Sequence, residues 1–144
     1  MHQRSASAHW TGDLKGGKGT VSSASGALKS IPYSFSMRFE NEPGTNPEEL
    51  VAAAHAACFS MACANELGKV GVTGQEVSTT ASAKFEKTDA GFSVTEMTLH
   101  TTIKAKGADR AKCEEAANAA KVGCPISRLL APGTKITLDA KFEL

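Results

Sequence analysis

The hydrophobic and polar positions divide the chain into a glycine-rich first third and a remainder in which long helical and strand patterns alternate. Glycines at positions 12, 16, 17, 19 and 26 interrupt short runs near the start, which predicts a small antiparallel meander. Its last strand is expected over residues 33–39, where apolar side chains occupy every second position. This alternation places Arg38 on the face opposite the aromatic side chains.

The clearest helix signal begins at Asn46. Asn46 suits the N-cap, Pro47 suits the first helical position, and the two glutamates that follow complement the helix dipole. Apolar residues then cover most of the helix circumference as far as about Gly68. The pattern predicts a central helix that is nearly surrounded by protein.

Two long strands are predicted next, over residues 76–87 and 92–105, joined by a turn over residues 88–91. The phase of the apolar positions shifts within the second strand, which predicts a β-bulge near Thr95. The chain ends on a strict alternation over residues 136–144, which is typical of a half-buried strand.

A second helix is predicted from about Asp109 until Gly123 and Pro125 interrupt it. One stripe of this helix is apolar, and it consists of Cys113, Ala116, Ala117 and Ala120. Pro125 can open a short further helix over residues 126–130, which would leave Cys124 at its N-cap.

Chain length and charge balance limit the number of domains and the class of protein. A chain of 144 residues fits a single domain, residues 1–144. Its 16 basic and 15 acidic residues leave no basic excess for a nucleic acid. The first residues lack a secretory hydrophobic region and no run reaches about 18 apolar residues, so we expect a cytoplasmic protein without a membrane segment. Four cysteines in that compartment indicate catalytic, redox, metal-binding or inert thiols rather than structural disulfides.

Cys58 and Cys124 lie in very different surroundings. At a helix N-terminus, the dipole favours the thiolate form of a sulfur such as that of Cys124, although a small residue at a helix break is an equally good reading. Cys58 sits in an alanine-rich helix and, taken alone, looks like a small core residue. As a nucleophile it would need a nearby cation, for which Arg38 is the candidate; an arginine exposed to solvent is the ordinary alternative.

Glu48 could orient Arg38, but Glu48 and Cys58 are ten residues apart, which is roughly 15 Å along a straight helix. Arg38 and Glu48 could therefore serve the Cys58 of a second copy of the chain, which predicts active sites at a dimer interface. Compensation of the helix dipole is the simpler explanation for Glu48.

The remaining cysteines and histidines offer weaker candidates. Cys63 points about 140° away from Cys58 round the helix, and Cys113 lies roughly 16 Å from Cys124 if its helix is continuous, so both are expected in the core. No zinc-binding spacing is present. His55 precedes Cys58 by three residues, so a Cys/His acyl-transfer site is conceivable, but no third group that would orient His55 is visible.

The sequence resembles a known family at several motifs. It is similar to the osmotically inducible protein C (OsmC) and organic hydroperoxide resistance (Ohr) family, and nearer to the OsmC branch. The main motifs are NPEEL over residues 46–50, AAHAACFSM over 53–61 and GCPIS over 123–127. Shorter matches run along the whole chain at residues 8–12, 17–21, 38–40, 89–92 and 136–138.

The resemblance implies an α+β intertwined homodimer, with antiparallel sheets packed around a central buried helix and a second helix. It also implies a cysteine-based peroxidase that acts in the oxidative or osmotic stress response. Cys58 would be the peroxidatic cysteine and Cys124 the resolving cysteine, while Glu48 and Arg38 would be the active-site glutamate and arginine.

The implied reaction reduces an organic hydroperoxide, and hydrogen peroxide less well, through a Cys58 sulfenic acid and a Cys58–Cys124 disulfide. A lipoyl-type dithiol would reduce that disulfide, and no metal or other cofactor is expected. Phe59 and Met61 would help to form an apolar pocket for the substrate.

Two other functions remain open at this point. One is a redox-sensing or small-hydrophobe-binding domain that uses the same pocket without sustained turnover. The other is general thiol–disulfide exchange, which the absence of a CxxC motif disfavours.

Overall fold

The computed structural model describes residues Met1–Leu144, which form two compact units, Met1–Leu50 and Val51–Leu144. The first unit contains an antiparallel sheet in the order β1-β2-β3, formed by Ala6–Thr11, Lys18–Ser23 and Ile31–Tyr33. The predicted meander is therefore confirmed.

A side chain at position 19 would collide with two aromatic rings. The Trp10 and Tyr33 rings pack with their centroids 5.4 Å apart. A Cβ atom at Gly19 would lie 2.5 Å from the Tyr33 ring and 2.6 Å from the Trp10 ring. Glycine at this position lets the two rings close over the backbone of β2.

The strand predicted over residues 33–39 is wrong beyond Tyr33, because a short helix, α1 (Phe35–Phe39), follows. Ser34 caps the helix by accepting a hydrogen bond from the backbone N–H of Met37. Phe35 and Phe39 lie one turn apart, with ring centroids at 4.7 Å. Aromatic residues four positions apart suit a strand face and a helix face equally well. The N-cap hydrogen bond of Ser34 favours the helix here.

Helix α2 (Pro47–Lys69) begins where the sequence predicted. The side chain of Asn46 accepts a hydrogen bond from the backbone N–H of Glu49 at 2.8 Å. The buried positions are spaced four residues apart and form a single stripe, namely His55, Phe59, Cys63 and Leu67.

The expectation that α2 is nearly enclosed is wrong for the single chain. Another face of the helix is open to solvent, and the exposed fraction of Met61 on it is 77%. Ala53, Ala54 and Ala57 are exposed on the same face. An apolar helix face of this kind marks a surface that another protein surface can cover.

Helix α2 also meets the length and hydropathy criteria for a membrane-spanning helix, with 23 residues and a mean hydropathy of 1.3 over its most apolar window. Polar residues interrupt the apolar residues of α2, so the expectation that the chain has no membrane segment stays a prediction. The central helix of a folded core satisfies the same two criteria.

The second unit contains a mixed sheet in the order β4-β5-β6, formed by Glu76–Thr88, Gly91–Lys104 and Lys135–Glu143. The predicted bulge is confirmed, because Lys84 pairs with Glu96 whereas Phe85 pairs with Val94. Thr95 is thus the extra residue on β5.

Strands β5 and β6 are parallel, so the expectation of purely antiparallel sheets is wrong for this sheet. A parallel pair requires a crossover connection, which here consists of helices α3 (Arg110–Gly123) and α4 (Pro125–Leu130). The side chain of Asp109 caps α3 by accepting a hydrogen bond from the N–H of Lys112. The α+β class is confirmed.

The core of the second unit lies between α2, α3 and the mixed sheet. The predicted buried stripe of α3 is confirmed, because Cys113, Ala116, Ala117 and Ala120 are all buried. They belong to one hydrophobic cluster with Phe59 and Leu67 of α2 and with Leu99 and Ile103 of β5.

Candidate active site

Cys58 and Cys124 are 66 residues apart in the sequence, yet their sulfur atoms lie only 2.7 Å apart. Both are free thiols, and the two side chains are in direct contact. A disulfide bond is about 2.05 Å long. The two sulfurs can therefore bond after a small displacement.

The break between α3 and α4 places the Cys124 sulfur. The backbone N–H of Cys124 donates to the carbonyl of Ala120 and ends α3, while its own carbonyl accepts from Arg128 and begins α4. Pro125 occupies the first position of α4, and the Cys124 side chain makes no capping hydrogen bond. The thiol is thus left to contact Cys58.

The two thiols differ in access and in surroundings. Cys124 is fully buried, whereas Cys58 is partly exposed. Burial raises the pKa of Cys58 and the neighbouring Cys124 thiol raises it further, while the backbone N–H of Ile126 donates to the Cys58 sulfur and lowers the pKa. A soluble oxidant can reach Cys58 first, but the thiolate of Cys58 needs more stabilisation than one backbone N–H provides.

Arg38 and Glu48 form a forked ion pair in the first unit. The Arg38 Nη2 atom lies 2.7 Å from Glu48 Oε1, and Nε lies 3.2 Å from both carboxylate oxygens. The Glu48 side chain is 12% exposed and that of Arg38 is 35% exposed. The side chain of Asn46 also donates to the carbonyl of Met37 at 3.3 Å, which ties α1 to the start of α2. The guanidinium is therefore held in one orientation while part of it faces solvent.

The four site residues predicted from the sequence thus form two pairs in separate compact units. Cys58 meets Cys124 in the second unit, and Arg38 meets Glu48 in the first. Glu48 can orient the Arg38 guanidinium, because its carboxylate accepts hydrogen bonds from both Nε and Nη2 of Arg38.

Sequence reasoning missed a contact next to the thiols. His55 Nε2 and Ser127 Oγ form a hydrogen bond of 2.8 Å, and both residues are buried. Burial lowers the pKa of His55. His55 lies three residues before Cys58 and Ser127 three residues after Cys124, so the matching spacing on the two segments was the available signal.

Three other side chains named in the sequence analysis, those of Cys63, Cys113 and Phe59, lie in the hydrophobic core. Cys63 and Cys113 are fully buried in the core, as expected. Phe59 is fully buried as well, so the expectation that it lines a substrate pocket is wrong for the single chain. No group of three or more His, Cys, Asp or Glu side chains in the chain is arranged to hold a metal ion.

The fold and the paired cysteines are those of a small α+β dithiol protein. The chain belongs to the family described as OsmC-like protein, whose sequence model matches residues 39–139. It is 48% identical over 136 residues to Peroxiredoxin OsmC of Escherichia coli, which covers 94% of each chain.

More distant relatives share the same fold. The chain is 33% identical over 132 residues to the organic hydroperoxide resistance protein OhrB of Bacillus subtilis, which covers 90% of this chain and 92% of that one. The structure of an organic hydroperoxide resistance protein from Elizabethkingia anophelis superposes with a TM-score of 0.80 at 24% identity, covering 99% of this chain and 97% of that chain.

Proposed function

We propose that this protein is a thiol-dependent peroxidase that reduces organic hydroperoxides to alcohols, with Cys58 as the peroxidatic cysteine and Cys124 as the resolving cysteine. The observation that carries the proposal is the 2.7 Å separation of a partly exposed and a buried thiol. The relatives named as a peroxiredoxin and as an organic hydroperoxide resistance protein support it.

The chemistry needs two steps at the two sulfurs. The Cys58 thiolate attacks one peroxide oxygen, the O–O bond breaks, and the alkoxide takes a proton and leaves as the alcohol, so that Cys58 becomes a sulfenic acid. The Cys124 sulfur then attacks the Cys58 sulfur. The S–S bond forms as the S–O bond breaks, and the hydroxide leaves with the Cys124 proton as water.

Arg38 is the cation that we propose for the Cys58 thiolate. Burial raises the pKa of Cys58, and a guanidinium stays protonated in any protein environment. An arginine held by Glu48 can stabilise the thiolate and the developing negative charge on the peroxide oxygen without first reorganising.

Two observations support an active site that is completed by a second copy of the chain. Helix α2 runs unbroken from Pro47 to Lys69, so Glu48 and Cys58 are roughly 15 Å apart along its axis. The exposed apolar face of α2 around Met61 is a surface that a partner can cover. We therefore propose a homodimer in which Arg38 and Glu48 of each chain serve the Cys58 of the other.

An apolar cavity in the first unit provides a place for the organic group. Its volume is about 160 Å³, and its lining includes Tyr33, Pro47 and Leu50. An apolar cavity of roughly 150 Å³ is large enough for a benzene ring. The cavity lies beside the start of α2, next to Glu48 in the sequence, and its apolar lining would favour an alkyl or aryl hydroperoxide over hydrogen peroxide.

A dithiol is the reductant that fits a disulfide product. One thiol would attack the Cys58–Cys124 disulfide to form a mixed disulfide, and the second thiol of the same molecule would release the protein in its reduced form. A lipoyl-type dithiol has this arrangement. We place the activity in the cytoplasm, where dithiols are kept reduced.

The test is steady-state consumption of cumene hydroperoxide with dihydrolipoamide, with the cysteine state followed by intact mass. Cys58→Ser should abolish turnover, and Cys124→Ser should accumulate overoxidised Cys58. Cys113→Ala, which removes a buried thiol outside the pair, should turn over like the wild type. A wild-type protein that forms the disulfide once but does not cycle with any dithiol would instead be a redox sensor.

A further inference from the structure

Two contacts join the same pair of segments one helical turn apart. On α2, His55 lies one turn before Cys58, and beyond the α3 break, Ser127 lies one turn after Cys124. Cys58 meets Cys124 at 2.7 Å and His55 meets Ser127 at 2.8 Å. Three residues of helix span about 4.5 Å, so the second contact lies directly beside the thiols.

Helix α4 docks through one buried polar residue, Ser127, and one partly buried apolar residue, Ile126, which packs against the hydrophobic core. It is six residues long, its N-cap makes no side-chain hydrogen bond, and Ser127 is its only buried residue. Helices of this length are not stable in isolation. The hydrogen bond that Ser127 makes to His55 therefore adds a directional contact to the apolar packing of Ile126.

The buried imidazole of His55 makes no side-chain hydrogen bond other than the one to Ser127. Both His55 and Ser127 are buried, with 0% and 1% of their surfaces exposed. The second ring nitrogen, Nδ1, has no hydrogen-bond partner within the chain. Burial lowers the pKa of His55, which favours the neutral form of the ring. Loss of the Ser127 hydroxyl would leave the whole imidazole without a hydrogen bond, which is costly for a buried polar group.

We propose that the His55–Ser127 hydrogen bond positions α4 so that Cys124 stays within reach of Cys58 during the resolving step. The inference rests on the proposed function, in which Cys124 attacks the Cys58 sulfenic acid. His55 and Ser127 are positioning residues here, because they act through Cys124 and not on the peroxide.

The first test separates the two chemical steps in a single turnover with one equivalent of cumene hydroperoxide. Alkylation quenching and intact mass follow the loss of the Cys58 thiol and then the appearance of the disulfide. In Ser127→Ala the second step should slow by about tenfold, which is the scale of one lost buried hydrogen bond, and Cys58 should overoxidise at lower peroxide concentrations. The first step should remain within twofold of wild type.

The control variants show whether the hydrogen bond itself is responsible. Ser60→Ala removes another hydroxyl of α2, one that bonds to Thr79 at 2.9 Å and not to α4, and it should resolve at the wild-type rate. His55→Leu should behave like Ser127→Ala. His55→Gln, which keeps a polar group at the distance of Nε2, should recover most of the resolving rate.

Three results would overturn the inference. They are disulfide formation in Ser127→Ala at the wild-type rate, a resolving rate in His55→Gln as low as in His55→Leu, and equal slowing of both steps in Ser127→Ala with a lower melting temperature. The last result would make the contact a general packing contact.

A second measurement does not depend on peroxidase activity. Equilibration of the Cys58–Cys124 pair with reduced and oxidised glutathione gives the effective concentration of one thiol at the other. Ser127→Ala should lower that concentration by about tenfold, and an unchanged value would overturn the inference. If wild type did not consume hydroperoxide at all, the proposed function would fail while this equilibrium would still test the positioning.

Discussion

Helix α2 carries two cysteines five residues apart, and each has a second cysteine from the α3 region as its neighbour. Cys58 is partly exposed, contacts Cys124 at 2.7 Å and receives the backbone N–H of Ile126. Cys63 is fully buried, and burial together with Cys113 and Glu66 raises the pKa of Cys63 to about 11. Solvent access and a backbone hydrogen-bond donor therefore distinguish the outer pair, Cys58 and Cys124, from the inner pair, Cys63 and Cys113.

The break in the helix at Gly123–Pro125 accounts for this difference. Cys113 lies in the first turn of α3, where its own backbone N–H donates to the carbonyl of Asp109. Cys124 lies at the junction with α4, where the first N–H groups of a new helix are free to bind a sulfur. The outer pair therefore combines two thiols with a donor that the inner pair lacks.

The largest expected effect is on alkylation of the two cysteines of α2. In Cys124→Ser at pH 8, iodoacetamide should modify Cys58 at least about a thousandfold faster than Cys63, because Cys63 reacts only when the core opens. Peptide mass spectrometry measures both rates in one sample. In denaturant the two cysteines should react at similar rates, and comparable rates in the folded protein would contradict the distinction between the pairs.

The next prediction concerns the exposed face of α2 that adjoins Cys58. Met61→Lys would place a charge in the proposed interface between two copies. An unpaired buried charge costs more than about 3 kcal/mol, so the association constant should fall more than about a hundredfold. Sedimentation velocity should show monomers, and peroxidase activity should fall with the dimer.

The control for this variant is Phe92→Lys, which changes a large apolar residue that is 60% exposed in the second unit. We expect it to remain dimeric and active. A monomeric wild-type protein with full activity would show instead that the outer pair works within one chain.

A smaller effect is expected from disrupting the Arg38–Glu48 ion pair, which we propose acts on Cys58. Glu48→Gln should slow oxidation of Cys58 by roughly tenfold, because Arg38 loses a charge-assisted partner. Glu49→Gln is the matched control, since Glu49 bonds to Thr45 instead and both variants remove one carboxylate from the first turn of α2. Stopped-flow measurement of Cys58 oxidation distinguishes the two variants. Equal slowing in both would mean that Glu48 only compensates the dipole of α2.

Local signals in the sequence were sufficient for most of the fold. Asn46 and Pro47 fixed the start of α2, and the shift in apolar phase located the bulge at Thr95. Both features depend on residues close together in the chain, which is why the pattern alone could predict them.

Features that depend on long-range contacts were less accessible. Alternation in β6 predicted a strand but contained no information on its direction, and the crossover made it parallel to β5. The partner of His55 lies 72 residues away, so the contact with Ser127 could be predicted only by pairing Cys58 with Cys124 first and then comparing the residues three positions from each. The spacing of Phe35 and Phe39 was ambiguous between strand and helix, so Arg38 was assigned to the wrong kind of element.

The smallest expected effect is on stability at alkaline pH, and it belongs to the inner pair. The pKa of Cys63 is raised from 9.0 to about 11 in the folded protein. Its contribution to stability is therefore fully present below about pH 9 and is lost as the pH rises towards 11, because only the unfolded chain gains the thiolate in that range. The free energy of unfolding should fall by at most about 1.4 kcal/mol per pH unit from this one thiol.

Cys63→Ala isolates that contribution from the pH dependence of the rest of the protein. Removing the thiol lowers stability by a constant amount through lost packing, but it should also make the dependence on pH between 9 and 11 shallower. Urea unfolding of both proteins at several pH values measures the two slopes. Parallel slopes would mean that Cys63 is not held as a neutral thiol in the core, and the distinction between the inner and outer pairs would then rest on solvent access alone.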